Sequence, residues 1–169
     1  ARDRDTLLAR SDAVSVVVPT RFHEAVARAA IDAGTDILVE KPFVADPDEG
    51  RELVERADAN DVTIQVGHVE RFNPVVSTVR DLVEDLEVIS VSARRLGPPP
   101  ERDIEDTAVM DLMIHDIDVV LDLVDADLST YDAVGAADGR YATATLAFDS
   151  GVVGHLTASR VTQEKVREL

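Results

Sequence analysis

The sequence predicts an α/β fold in which a parallel sheet is followed by an α+β domain with a mostly antiparallel sheet. Up to about residue 73, short β-branched runs alternate with amphipathic stretches, as in strand–helix–strand units. The links between these segments are short, so the strands are expected to be parallel with right-handed crossovers. After Asn73-Pro74 the pattern changes to helices and to strands at hairpin-like spacing. We therefore predict two domains, residues 1–73 and residues 74–169.

The first domain is predicted to contain three strands and two crossover helices. The run Ala13–Val18 is rich in β-branched residues and ends at Pro19, so we expect a strand buried on both faces. Gly34 is expected to end the first helix, and Asp46 to cap the second helix with Pro47 in its first turn. The predicted elements are a strand at 13–18, a helix at 22–33, a strand at 37–39, a helix from 46 to about 60 and a strand at 62–66.

The second domain is predicted to be an α+β unit around a proline-rich loop. Three consecutive prolines require a loop between Leu96 and Asp106, and the stretch before it alternates as a half-buried strand does. Asp149, Ser150 and Gly151 are expected to join the last two strands as a hairpin. The predicted elements are a helix at 75–84, a strand at 87–95, a helix at 107–124 and strands at 131–136, 141–148 and 152–159.

Acidic residues are in large excess and are spread along the whole chain. The 34 Asp and Glu against 17 Lys and Arg argue against binding nucleic acid or anionic lipid through a basic face. No apolar run approaches the length of a membrane span, no signal-peptide pattern opens the sequence, and there is no cysteine. We therefore expect a soluble, cytoplasmic protein. Because dispersed acids with 22 Asp, 15 Arg and only 2 Lys suit high salt, we also expect a halophilic source.

The predicted strand at 37–39 runs directly into Glu40, Lys41 and Pro42. Lys41 stands out because the chain uses Arg at nearly every other basic position. A lysine ammonium can release a proton when its environment favours that, whereas a guanidinium practically cannot. Two interpretations follow: Lys41 is delivered to a reaction at the carboxyl end of the strand, or it simply pairs with Glu40.

The predicted helix at 107–124 is apolar apart from a narrow row of polar residues. Asp111, His115, Asp118 and Asp122 fall at helical spacing on one face. Asp111 and His115 are one α-helical turn apart, so the carboxylate could orient the imidazole as a general base requires. The alternative, which the residues alone favour, is that this row faces water. A metal site built on these residues is not expected, because a second local histidine is missing.

Further candidate residues lie where predicted strands end. His23 and His68 each follow a strand of the parallel sheet, a common ligand-facing place, although either could simply pack or cap. Arg71 and Asn73 lie at the junction of the two domains; Arg71 could bind a substrate anion or brace the junction, and Asn73 suits a helix cap. His155 lies within a predicted strand and is expected to be structural. No Gly-rich phosphate-binding turn follows the first strand.

Taken together, three stretches resemble one family of enzymes. They are VVVPTRFHEAVARAAIDAGTDILVEKP at 16–42, GHVERFNP at 67–74 and MDLMIHDID at 110–118. They are similar to the glucose–fructose oxidoreductase, inositol dehydrogenase and rhizopine catabolism family (Gfo/Idh/MocA) of NAD(P)-dependent dehydrogenases. The resemblance implies that residues 1–73 form the later part of a dinucleotide-binding Rossmann domain. It also implies that residues 74–169 form a substrate-binding and oligomerisation domain that continues further.

The resemblance also implies roles for individual residues. Lys41 would hydrogen-bond the reacting hydroxyl beside the nicotinamide. His115 would be the general base, and Asp111 its partner and a ligand of the substrate. The residues implied to line NAD or NADP are Pro19, Thr20, His23, Glu40, Lys41 and Pro42, and those implied to bind substrate are Arg71, Asn73, Asp111 and His115.

The resemblance further implies the class of substrate and the partners. A sugar, a nucleotide sugar or a cyclitol would be oxidised, and the sequence looks most similar to UDP-N-acetylglucosamine 3-dehydrogenases and inositol 2-dehydrogenases. Arg71, Arg95 or Arg102 could meet a diphosphate. A homo-oligomer, dimer or tetramer, would form through the sheet of the second domain. The alternatives are a non-catalytic sugar-binding sensor and a purely structural module; retention of Lys41, Asp111 and His115 together favours the enzyme.

The charge pattern leads to a first testable prediction. Screening relieves the repulsion between dispersed carboxylates, so the free energy of unfolding should rise between dilute buffer and molar salt. Chemical denaturation of the full-length protein at several salt concentrations measures this change. Equal stability at the two extremes would contradict the inference of a halophilic source.

Overall fold

A computed structural model describes residues 3–101 and 104–169 of the chain. It divides into two compact units, residues 1–68 and residues 69–169. The predicted boundary after Asn73 falls inside the second unit, at the residue that caps a helix. Within the described ranges, no helix combines the length and the apolar content needed to cross a lipid bilayer.

The first unit is a three-stranded parallel sheet with crossover helices, as the sequence predicts. The strand order is β1-β2-β3, and the register aligns Val16 of β1 with Val39 of β2, and Val39 with Val66 of β3. A short helix that the sequence did not predict precedes the sheet and is capped by Asp3. The elements are α1 (Arg4–Leu8), β1 (Ala13–Val16), a 3₁₀ turn (Thr20–Phe22), α2 (His23–Asp32), β2 (Asp36–Val39), α3 (Pro47–Ala59) and β3 (Ile64–Val66).

Only one face of this sheet is covered by the described residues. Along β2, Ile37 and Val39 are buried whereas Asp36 and Leu38 are exposed. Along β1, Val16 is buried whereas Ala13 and Ser15 are exposed, so the prediction that the first strand is buried on both faces is wrong. The reason is topological: two right-handed crossovers that advance in the same direction place both helices on the same side of the sheet.

Local sequence signals set the ends of the helices in this unit. Gly34 has a φ of +69°, and the N–H of Thr35 donates to the carbonyl of Ala30, so α2 ends in the glycine-dependent manner expected from the sequence. Asp46 caps α3 by accepting a hydrogen bond from the N–H of Asp48, with Pro47 in the first turn. These caps fix the lengths of the segments that connect the strands.

The second unit is a five-stranded sheet covered on one face by helices. The strand order is β5-β6-β7-β4-β8; all neighbouring pairs are antiparallel except β4 and β7, which are parallel. The core packs Met113, Val120 and Val124 with Leu146 and Leu156 of the sheet. The elements are a 3₁₀ turn (Val69–Phe72), α4 (Pro74–Val83), β4 (Ser90–Leu96), a π-helix (Val109–Met113), α5 (Ile114–Leu123), β5 (Leu128–Ala136), β6 (Tyr141–Phe148), β7 (Val153–Ser159) and β8 (Val166–Glu168).

The helix predicted at 107–124 is continuous from Ala108 to Leu123 but contains a π-helical turn. Residues Val109–Met113 form this turn, and α5 continues from Ile114. The segment that precedes it is held by the β5–β6 turn, because the N–H of Ala108 donates to the carbonyl of Gly139 at 2.7 Å. Gly139 has a φ of +78°, and a Cβ there would lie 2.9 Å from Cγ2 of Thr107. Amphipathic spacing alone does not reveal a single π-helical turn.

Candidate active site

The carboxyl ends of the three parallel strands lie at one edge of the first sheet. The N–H of Glu40 donates to the carbonyl of Val16 at 3.0 Å, and the N–H of Gly67 donates to the carbonyl of Val39 at 2.8 Å. Parallel pairing thus continues just past the strands, and Lys41 emerges from β2 at this edge. In open parallel sheets this edge is where ligands bind.

The residues at this edge differ in exposure. Pro19 and Glu40 are exposed, Thr20 and Lys41 are half-buried, and Pro42 is buried. The predicted cofactor residues therefore lie on two neighbouring loops, one after β1 and one after β2, at the same edge of the sheet.

The carboxylate of Glu40 lies close to the backbone after β3, at Gly67. A Cβ at position 67 would lie 3.5 Å from Oε2 of Glu40 and 3.4 Å from the carbonyl oxygen of Val39. The Glu40 side chain is thus directed across the edge of the sheet. His68, the next residue, is half-buried.

The ring of His23 is inside the protein rather than on the surface of the edge. Its exposure is 1%, Nδ1 lies 2.8 Å from the carbonyl oxygen of Pro42, and Nε2 lies 2.8 Å from that of Val18. The ring therefore joins the connection after β1 to the connection after β2. Any effect of His23 on a ligand has to come through these two segments.

In the second unit, Asp111 is on the π-helical turn and His115 is on α5; both are half-buried. One oxygen of the Asp111 carboxylate accepts a hydrogen bond from Nη2 of Arg160 at 2.5 Å. The predicted geometry of an uninterrupted α-helix does not apply to Asp111 and His115, because the π-helical turn ends between them. Their pairing remains a prediction.

Arg160 is a residue that the sequence analysis missed. It follows β7, is 6% exposed, and donates from Nη1 to the carbonyl of Asp106 at 2.6 Å as well as to Asp111. Its own N–H donates to the carbonyl of Arg140 at 2.8 Å. The Arg160 guanidinium therefore holds both the backbone that precedes the π-helical turn and the Asp111 carboxylate on that turn. The sequence shows only an arginine after an apolar strand, in a chain with 15 arginines.

The rest of the acidic row does not face water, so the solvent-facing interpretation is wrong. Asp118 is buried and accepts hydrogen bonds from Nε of Arg71 at 2.9 Å and from Nη2 at 2.6 Å. Asp122 is bound by Arg80 and lies 3.3 Å from Nη1 of Arg71. These pairs attach α5 to α4 and to the 3₁₀ turn before it.

A second charged network fixes the opposite side of α5. Nη2 of Arg95 donates to Asp116 at 2.7 Å, and Nη1 donates to Glu70 at 2.9 Å. Burial raises the pKa of Asp116, although Arg95 opposes this. The pKa of Glu70 is lowered, chiefly by the hydrogen bond from the side-chain amide of Asn73, and the nearby His115 makes the smallest contribution. The network thus extends to the surroundings of the candidate base.

The structure gives Arg71 and Asn73 contacts that brace the fold. Arg71 binds Asp118 and Asp122, whereas Asn73 caps α4 by accepting from the N–H of Val75 and donates to Glu70. Their predicted contact with substrate remains a prediction. Arg102, the third arginine considered for a diphosphate, lies outside the described residues.

Within residues 3–101 and 104–169, no three side chains of the metal-ligating types form a group that could hold an ion. Two candidate segments result, each within its own unit: the Lys41 edge in the first unit and the Asp111–His115 segment in the second. Both segments are held by buried polar side chains, namely His23 and Arg160.

The chain belongs to the Gfo/Idh/MocA family. Residues 1–68 match the model of the oxidoreductase family with an NAD-binding Rossmann fold, and residues 87–168 match that of the GFO/IDH/MocA C-terminal domain. The resemblance seen in the sequence is thereby confirmed, as is the α/β fold class.

Among its relatives is the UDP-N-acetylglucosamine 3-dehydrogenase of Acidithiobacillus ferrooxidans, which is 38% identical over 98% of this chain and 54% of its own length. A solved structure of that enzyme superposes on this chain with a TM-score of 0.90 at 37% identity. The match covers 99% of this chain and 56% of the chain in that structure. The scyllo-inositol 2-dehydrogenase (NAD(+)) of Bacillus subtilis is 28% identical over 88% of this chain and 48% of its length. The chain thus spans about half the length of these curated relatives.

Arg160 leads to a second testable prediction. Replacing it with Gln removes the charged hydrogen bond to Asp111 and the bond to the Asp106 carbonyl, so the free energy of unfolding should fall by roughly 2–4 kcal/mol. The matched control is Arg94→Gln, because Arg94 pairs with Glu168 at the surface and its loss should cost less than about 1 kcal/mol. Denaturant titration of the full-length variants compares them. Equal losses at the two positions would contradict the bracing role.

Proposed function

We propose that the full-length protein is an NAD(P)-dependent dehydrogenase that oxidises a secondary hydroxyl of a nucleotide sugar, a sugar or a cyclitol. The observation that carries this proposal is a half-buried Lys41 at the carboxyl edge of a parallel sheet, in a chain that belongs to this family. A lysine rather than an arginine at that point suits chemistry at a hydroxyl, because an ammonium can exchange a proton.

The first unit suits the nicotinamide side of a dinucleotide. Its strand ends form one edge, with Pro19, Thr20, Glu40 and Lys41 on the connections that follow β1 and β2. NAD or NADP, when bound, supplies the acceptor for the hydride. These residues would hold the cofactor ring, with Pro42 as the buried support of their loop.

The roles of the protein side chains follow from the chemistry of alcohol oxidation. A carbinol carbon gives up hydride only as its hydroxyl loses a proton, so a base has to contact that oxygen. We assign that role to His115, with Asp111 as its partner and a substrate ligand. Lys41 would donate to the same oxygen and stabilise the negative charge that develops on it. Each group would then act on one atom of the substrate.

A nucleotide sugar is the substrate class that the comparisons favour. The relative at 38% identity is named for UDP-N-acetylglucosamine, whereas the inositol dehydrogenase from Bacillus subtilis is 28% identical. The test is to incubate the full-length protein with NAD and with NADP against UDP-sugars, aldoses and cyclitols, and to follow reduction of the nicotinamide. Reduction with a UDP-sugar is expected. No reduction with any compound would favour the non-catalytic sensor.

A third prediction concerns the base. Replacing His115 with Ala should lower turnover roughly 10²–10⁴-fold, because the hydroxyl proton would lose its acceptor, while cofactor affinity stays nearly unchanged. Steady-state kinetics measure the first effect and a cofactor-binding titration the second. Asp81→Ala is the control, since Asp81 is an exposed residue on α4 of the same unit. Near-normal turnover in His115→Ala would contradict the assignment.

We also propose that the second sheet forms a homo-oligomer through its outer face. Along β6 and β7 the side chains that face away from the helices include no Asp, Glu, Lys or Arg, although these four types make up 30% of the chain. An uncharged, β-branched sheet face suits contact with a second copy better than contact with water. These outward residues are Tyr141, Thr143, Thr145, Ala147, Val153, His155 and Thr157.

A fourth prediction tests this interface. Thr145 lies at the centre of the outer face, opposite His155. Replacing it with Glu would bury like charges in a symmetric interface, so the oligomer should dissociate. Light scattering of the full-length protein measures the mass, and Asp81→Glu, on α4, is the control that keeps the charge. An unchanged mass for Thr145→Glu would place the interface elsewhere.

A further inference from the structure

The surroundings of His23 restrict the protonation state of its ring. Nδ1 lies 2.8 Å from the carbonyl oxygen of Pro42, and Nε2 lies 2.8 Å from the carbonyl oxygen of Val18. Both partners are carbonyl oxygens, which accept hydrogen bonds and cannot donate them. Each ring nitrogen therefore needs a proton of its own to form a hydrogen bond.

A neutral imidazole satisfies only one of these two contacts. It carries one N–H, so its second nitrogen would direct a lone pair at a carbonyl oxygen 2.8 Å away. The doubly protonated ring donates to both. Burial at 1% exposure disfavours the charge, but hydrogen bonds from a charged donor are roughly twice as strong as neutral ones.

The charged residues around His23 pair with other side chains or lie on the flanking segments. On its own helix, Glu24 binds Arg28 at 2.5 Å, and Arg28 also binds Glu52 of α3. On the β2 side, Glu40 and Lys41 precede Pro42, and the Glu40 carboxylate lies against Gly67. Arg21 precedes the ring on the 3₁₀ turn and lies over Phe22. Within the described ranges, the hydrogen-bond partners of the ring are the two carbonyls.

We propose that His23 is a doubly protonated positioning residue that ties together the connections following β1 and β2. Val18 lies two residues past the end of β1, and Pro42 is bonded directly to Lys41. The ring thus fixes the backbone on which the Lys41 ammonium is mounted and the backbone that leads to Pro19 and Thr20. The catalytic consequence rests on the proposed function, whereas the protonation state does not.

The protonation state is tested on the unmodified full-length protein. Histidine labelled with ¹⁵N is incorporated, and long-range proton–nitrogen correlations report which ring nitrogens carry protons. The His23 signals are identified by their loss in His23→Gln. We expect two protonated nitrogens at neutral pH. One protonated and one bare nitrogen would overturn the proposal, whatever the activity of the protein.

The positioning role is tested by kinetics of the variant. A Gln side chain can donate to the carbonyl of Val18 or of Pro42, but it cannot reach both as the imidazole ring does. The loop that carries Lys41 should therefore shift. We expect folded His23→Gln to lose roughly tenfold or more in kcat, because small displacements of reacting groups have large effects. Asp58→Asn, at an exposed position of α3 in the same unit, is the control. Unchanged kcat in folded His23→Gln would overturn the positioning role.

The two measurements separate this proposal from the proposed function. One outcome is that both ring nitrogens of His23 are protonated in a protein that reduces neither NAD nor NADP. That outcome would support the link between the segments after β1 and β2 and remove only its catalytic role. If His23→Gln does not fold, the His23→Asn variant supplies both the assignment of the His23 signals and the kinetic comparison.

Discussion

Burying a charged or polar side chain is costly unless its partners are provided by the fold, and this constraint determines how the Lys41 edge and the Asp111–His115 segment are held. Among the described residues, no buried side-chain nitrogen or oxygen lacks a hydrogen-bond partner. The buried polar groups are also the ones that join separate elements. His23 connects the segments after two strands, and Arg160 connects β7 to the π-helix. Stability and placement of the site therefore depend on the same contacts.

The bias toward arginine over lysine acquires a structural meaning from these contacts. Arg71 and Arg95 each place two guanidinium nitrogens on a carboxylate of α5, a geometry that the single ammonium of lysine cannot reproduce. Several acids that add to the net charge of −17 are therefore internal partners rather than surface charges. Lys41, at the sheet edge, differs from these arginines because a lysine ammonium can exchange a proton whereas a guanidinium practically cannot.

Much of the fold could be predicted from the sequence because its signals are local. Apolar runs located the strands, and Gly34 and Asp46 marked helix ends. What could not be predicted depends on residues that are distant in the chain. Asp118 points inward because it pairs with Arg71, which is 47 residues away in the chain. Likewise, which face of β1 is covered depends on the side of the sheet on which the two crossover helices lie. Amphipathic spacing gave the wrong side for the acidic row because paired acids pack much as apolar residues do.

The π-helical turn changes how the candidate catalytic pair has to be understood. In a regular α-helix, the spacing of Asp111 and His115 would follow from α-helical geometry alone. In the structure, Asp111 lies on the π-helical turn and is bound by Arg160, whereas His115 lies on α5, whose carboxylates are bound by Arg95 and Arg71. The placement of the two side chains therefore depends on tertiary ion pairs as well as on the helix. Under the proposed function, these arginines would help to set the geometry of the proposed base without being catalytic themselves.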